Sequence, residues 1–136
     1  MDFILQRCPE QAHVFMVLET YFQLAGLRGS EPFAEQIDFD MVAYEGDFAL
    51  KVSVYKDAAH EEALARFLAC TLHTKVIISD DSVNPYTWVL VDERGVAQPI
   101  QEEPVEELGF FIVDERHRHL LAPCPAAPKT GVSSAS

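Results

Sequence analysis

Residues 37–55 read IDFDMVAYEGDFALKVSVY. Up to the middle of this stretch the odd positions are apolar: Ile37, Phe39, Met41 and Ala43. Beyond Gly46-Asp47 the even positions take over: Phe48, Leu50, Val52 and Val54. Successive side chains of a strand point to opposite faces, so period-two alternation marks a strand with one buried face. A two-residue connection led by glycine suits the turn that joins two antiparallel strands. It predicts the pairs Ala43–Leu50, Met41–Val52 and Phe39–Val54, all apolar, so turn chemistry and alternation agree on one register. The opposite face carries Asp38, Asp40, Val42, Tyr44, Lys51, Ser53 and Tyr55 and is expected to be mixed and partly wet.

Helical patterns flank this hairpin. Val14, Phe15, Val17, Leu18, Tyr21, Phe22, Leu24 and Ala25 form an apolar stripe that predicts a helix over Glu10 to Leu27, with Pro9 suited to its first turn. Asp57 is the expected cap of a second helix from about Ala58 to Leu72, buried through Ala63, Leu64, Phe67, Leu68 and Leu72. Glu61 and Glu62 near its start favour the helix dipole. Lys75 to Ser79 then reads as a short buried strand, and Tyr86 to Val91 as another. Val96 to Ile100 is expected to return at an edge, because Pro99 cannot donate to a ladder on both sides. Leu108 to Val113 is the last expected strand. The order α-β-β-α-β-β-β-β implies an α+β fold, a mostly antiparallel sheet of five or six strands with two helices on one face. One domain is expected over residues 1–122, with a mobile tail from Pro123.

At 136 residues the chain suits one core. Such a domain buries roughly two-thirds of its unfolded surface and needs neither disulfides nor a metal to fold. Cys8, Cys70 and Cys124 are odd in number and far apart, which argues against a disulfide framework. Residues 1–7, with Asp2 and no basic segment ahead of an apolar one, do not read as a secretory signal. No apolar run reaches membrane-spanning length, and the cytosol is the expected compartment. The balance of 22 acidic to 10 basic residues gives a net charge of −12. That field repels phosphate backbones and anionic lipid, which disfavours nucleic-acid and membrane binding, and it attracts a basic protein. Residues 76–122 alone hold Asp80, Asp81, Asp92, Glu93, Glu102, Glu103, Glu106, Glu107, Asp114 and Glu115 against Arg94, Arg116 and Arg118.

The residues that could carry chemistry are sparse. His117 and His119 sit two apart, with Cys124 or a carboxylate as a conceivable third metal ligand, but zinc sites usually show two short-spaced ligand pairs. Cys70 precedes His73 by three residues, yet it ends an apolar stripe, where a thiol is more often core than nucleophile. The carboxylate pairs Asp38–Asp40, Asp80–Asp81 and Glu102–Glu103 fall in loops or on a wet strand face rather than in a pocket that would split their pKa values. No nucleophile, base and cofactor motif occur together, so no catalytic residue, cofactor or metal is expected. Ser79 to Trp88 combines Asp80 and Asp81 with Asn84-Pro85 and an aromatic pair. Tyr and Trp anchor interfaces because they bury much area with few rotors to freeze. Asp80, Asp81, Tyr86, Trp88, Glu102, Glu103, Glu106 and Glu107 are therefore the candidate partner-binding residues, with a core role for Trp88 as the competing reading.

Size, acidity, the helix–hairpin–helix–strands order and the stretch from Val76 through Asp81 into Asn84–Asp92 together resemble the small acidic immunity proteins of bacterial polymorphic and contact-dependent toxin systems. The resemblance implies a role: binding a folded cognate toxin, as a monomer or a homodimer, and blocking it. Secretion chaperones that hold an extended effector segment are similar in size and acidity. They usually place three strands between the two helices, where only two are expected here.

Overall fold

The computed structural model describes residues 1–24, 38–55, 61–104 and 110–122. The chain opens with a strand, β1 (Asp2–Leu5), followed by helix α1 (Gln11–Leu24). Strands β2 (Phe39–Ala43), β3 (Glu45–Gly46) and β4 (Leu50–Val54) lead to helix α2 (Glu61–Leu72). Then come β5 (Val76–Ser79), β6 (Thr87–Val91), β7 (Ala97–Gln101), β8 (Phe110–Phe111) and a 3-10 helix, η1 (Glu115–Leu121). Six strands form one sheet in the order β2-β4-β1-β5-β6-β7, with every neighbouring pair antiparallel. The fold is α+β.

β1 is the element that the alternation pattern did not reveal, and it corrects the expected element order. It lies centrally, between β4 and β5. Phe3 and Leu5 point to the helices while Ile4 points to the opposite side, and all three are buried. A strand buried on both faces has no polar alternation to read. Each of these side chains contributes about 2 kcal/mol of burial.

The hairpin register is the one its alternation predicts: Phe39 pairs with Val54, Met41 with Val52 and Ala43 with Leu50. Its turn is wider than the expected two residues. The ladder closes with Tyr44 N–H donating to the Ala49 carbonyl at 2.8 Å. Glu45 and Gly46 swing out to pair, in parallel, with Phe110 and Phe111. The reason is Phe48, which is wholly buried in a second cluster on the far face of the sheet and cannot reach it from a tight turn.

Both helices pack on one face, as expected. Val14, Val17, Leu18 and Phe22 of α1 and Leu64, Ala65, Leu68, Ala69 and Leu72 of α2 meet Phe3, Leu5, Val52, Val54, Val76 and Ile78. The α2 stripe lies one position further round than the sequence suggests, leaving Ala63 and Cys70 exposed. The other face is not simply wet. Ile4, Ile77, Leu90 and Ile100 form a floor that Phe48, Phe111 and Val113 cover, with Trp88, Leu120 and Leu121 at the margin. Among the described residues, the open part of that face is its β2–β4 half, with Val42 and Tyr55 exposed. β7 is an edge strand, and Pro99 is accommodated opposite Val89. The last expected strand is reduced to β8 within the described residues, plus a bridge from Glu102 to Val113. The helix starts at Ala58, its Asp57 cap, and the tail from Pro123 lie outside the described residues.

Candidate binding surface

Antiparallel pairing gathers chain segments of opposite direction at each end of the sheet. Asp2 pairs with Ser53, Ser79 with Trp88 and Thr87 with Gln101. The start of β1, the end of β4, the β5–β6 loop and the exit of β7 therefore share one end. The start of α2 joins them: burial first, then the Asp81 carboxylate and that of Asp2, push the Glu61 carboxyl up, with the Met1 amino group opposing. Asp2, Glu61, Asp80, Asp81, Glu102 and Glu103 thus converge from four separate segments. Only the loop acids and the Glu102–Glu103 pair were legible as candidates beforehand. Asp2 and Glu61 carried no signal, because their convergence depends on β1.

The charge at this end is offset only in part. The Met1 amino group lies here, donating to the Val54 carbonyl at 2.9 Å, and Arg116, paired with Asp114, also reaches Gln101 at the exit of β7, while Arg94 pairs with Asp92 and Arg118 with Asp47. Among the described residues, Asp80, Asp81, Glu102 and Glu103 form no ion pair.

The β5–β6 loop is exposed yet internally bonded. Ser82 N–H donates to Asp80 Oδ1 at 3.0 Å, and Asp81 N–H to Ser79 Oγ at 3.1 Å. The Ser82 and Thr87 hydroxyls lie 2.6 Å apart. Asn84 Oδ1 accepts from Tyr86 N–H at 2.9 Å, and the Asn84 carbonyl accepts from the Thr87 hydroxyl at 3.1 Å. Asp and Asn favour such local turns because their short side chains satisfy nearby backbone groups. Asp81 adopts φ +61°, a left-handed conformation that Asp tolerates better than most residues. The Ser82 backbone bond, and next the Thr87 hydroxyl, hold the Asp80 carboxyl below the usual aspartate range. Around these internal bonds the loop presents the exposed Asp81 side chain, Val83, fully exposed, and Tyr86 at 42 % exposure.

Trp88 sits differently. It packs edge-to-face on Phe111 with ring centroids 5.5 Å apart, on the face away from the helices. Its indole N–H donates to Glu102 Oε1 at 3.1 Å. Burial pushes the Glu102 carboxyl up, and the indole bond works against that rise. Tyr86 and Glu102 are adjacent, with Glu102 N–H donating to the Tyr86 carbonyl at 2.8 Å. Glu103 is exposed. Glu106 and Glu107 lie outside the described residues. A second exposed aromatic on the same end of the sheet, Tyr55, donates its hydroxyl to Asp40 at 2.8 Å.

His117 and His119 both fall in η1, the first half-buried and the second exposed. Among the described residues no three His, Cys, Asp or Glu side chains group to hold a metal ion. Cys124 lies outside them. Cys70 is exposed rather than core, and His73 is exposed just past the end of α2. No helix among the described residues is long and apolar enough to cross a membrane. No protein-family model, curated protein or solved structure matches the chain.

Proposed function

We propose that this chain is a non-catalytic protein-binding domain that captures a basic surface on a folded partner, and that it serves as an immunity protein neutralising a cognate bacterial toxin. The observation that carries the reading is the Ser79–Thr87 loop: exposed, acidic and held in shape by its own hydrogen bonds. A loop already fixed in one shape loses little conformational freedom on binding, so more of its contact energy appears as affinity. Tyr86 and Val83 offer apolar contact area beside the Asp80 and Asp81 carboxylates, which form no ion pair among the described residues. That combination suits a partner with an apolar depression rimmed by Lys and Arg, as enzymes acting on nucleic acids or nucleotides present at their active sites. Blocking those cationic groups would disarm such an enzyme without any chemistry by the inhibitor. Trp88 and Glu102 stand behind the surface and fix the exit of β7 against the loop.

The test is the association and dissociation kinetics of this chain with the toxin domain of a genetically adjacent open reading frame, at low and high salt. Exposed charges act mainly on association and buried contacts on dissociation. Asp81→Asn is expected to slow association about two- to fivefold at low salt and to match the parent at high salt. Tyr86→Ala is expected to speed dissociation about tenfold or more. Cys70→Ala with His73→Ala should leave both rates unchanged. Unchanged kinetics in Asp81→Asn and Tyr86→Ala would place the interface elsewhere.

A further inference from the structure

The two apolar clusters lie on opposite faces of the sheet and are closed in different ways. The helix side is sealed by two long helices that bury nine side chains between them. The far side is sealed by Phe110 to Ala122 and by the Tyr44–Phe48 loop. These hold only the two-residue strands β3 and β8, one bridge, and a 3-10 helix with no buried residue of its own.

The cover is tied to the sheet by Glu103 N–H donating to the Ile112 carbonyl at 2.7 Å, Asp114 N–H to the Gln101 carbonyl at 2.8 Å, Gln6 Nε2 to the Leu121 carbonyl at 3.3 Å and Arg116 to Gln101 Oε1, and its two parts meet at Asp47. Its N–H donates to the Phe111 carbonyl at 2.8 Å, and its Oδ2 accepts from Val113 N–H at 2.8 Å. Arg118 closes on both carboxylate oxygens, at 2.8 and 3.1 Å. That bidentate pair joins the loop to η1, and its guanidinium is about half exposed. Beneath η1, His117 Nδ1 is buried with no hydrogen-bond partner among the described residues. A buried polar atom without a partner carries a desolvation penalty that opening to water would relieve. The cover is thus held by three buried side chains, Phe48, Phe111 and Val113, by a few backbone bonds and by a half-exposed ion pair, over one buried nitrogen without a partner among the described residues. The sheet below it is continuously paired.

We infer that Phe110–Ala122 forms a latch that swings as one unit away from both the Tyr44–Phe48 loop and the sheet while the six-stranded sheet and both helices stay folded, with Asp47–Arg118 as its lock. Opening uncovers an apolar floor of Ile4, Ile77, Leu90 and Ile100, a second surface on the face opposite the helices. Regions with few buried contacts and accessible backbone bonds are the ones that open below the free energy of global unfolding. The latch is a property of this chain alone and holds whatever the acidic end binds.

Native-state hydrogen exchange on the full chain tests it. The latch reporters are the amides of Asp47, Glu103, Val113 and Asp114, whose acceptors all lie across its contact lines. The expected result is that these four exchange together, faster than the amides of the β1–β4 and β5–β6 ladders. Arg118→Gln, at an exposed site that does not threaten folding, should lower protection of the four about three- to fivefold and leave the ladders unchanged. The difference should shrink at high salt. Trp88 fluorescence gives an independent reading, since its ring rests on Phe111. Arg118→Gln should shift its emission toward the red with helical circular dichroism unaltered. Exchange of the four amides at the ladder rate, or an equal fall in both groups on substitution, would show a single cooperative unit and overturn the latch.

Discussion

The indole nitrogen of Trp88 lies 3.1 Å from Glu102 Oε1, so two residues that read separately as an apolar anchor and a rim charge form one contact. That contact ties β6 to the exit of β7 and leaves Tyr86 and the Asp80–Asp81 loop as the exposed part of this end. It also half-buries a carboxylate, and burial raises its pKa above the ordinary glutamate value.

A raised carboxyl pKa in the folded state means that folding favours the protonated form. Stability contributed by Glu102 is therefore fully present below the ordinary glutamate value and is lost as pH rises through the folded value. Glu102→Gln keeps an oxygen for the indole and removes the charge. It is expected to raise the thermal midpoint slightly at pH 7 and to have no effect near pH 3. Melting curves across that range check it. A variant less stable than the parent at pH 7 would mean that the indole bond to the charged form outweighs the burial cost.

Gly46 and Gly95 separate backbone strain from close approach. Both adopt positive φ, +100° and +83°. A Cβ on Gly46 would lie 2.6 Å from the Phe111 carbonyl oxygen, whereas on Gly95 its nearest neighbour would be Cys70 Sγ at 3.6 Å. Gly95→Ala should cost about 1 kcal/mol, from conformation alone. Gly46→Ala should cost about 2–3 kcal/mol and disturb the near-ultraviolet signal of Trp88 through Phe111. Urea unfolding of the two variants decides this, and equal costs would contradict the close packing of β3 on β8.

Lys75 is the one basic side chain buried in the described core. Its Nζ meets Glu93 Oε1 at 2.9 Å, with side-chain exposures of 2 % and 17 %. Removing the acid strands an ammonium in a low-dielectric site, so Glu93→Ala is expected to cost about 3 kcal/mol. Adding Lys75→Met to that variant should recover most of the loss, because an apolar side chain of similar length fills the same space. A double variant no more stable than Glu93→Ala would show that the pair's value lies in something other than its charge.

How far the sequence reveals this molecule depends on whether a segment has one environment or two. The hairpin register was legible to the residue because Phe39, Met41, Leu50, Val52 and Val54 alternate against polar neighbours. Val76-Ile77-Ile78 was legible as a buried strand from its unbroken apolar run. Phe3-Ile4-Leu5 carries the same run and pairs beside it, Ile4 against Ile77 and Leu5 against Val76, yet four residues at a chain start offer no turn signal or periodicity. The second-face cluster was hidden for another reason. Phe48 fits the alternation of β4 but leaves it, and only its contact with Phe111, across more than sixty residues of sequence, shows why. At the candidate surface, Asp80, Asp81 and Tyr86 stood out from composition and turn chemistry. The neighbouring Asp2 and Glu61 were not, because they come together only through β1 and α2.

In the function proposed above, the Ser79–Thr87 loop disarms a toxin. Its most direct test is growth of bacteria expressing the toxin domain of the adjacent open reading frame, alone and together with this chain. The account predicts arrest by the toxin alone, full rescue by the intact chain, and loss of rescue by a folded Asp81→Asn, Tyr86→Ala double variant. Growth arrest that the intact chain does not relieve, or rescue that the double variant supplies equally well, would contradict it.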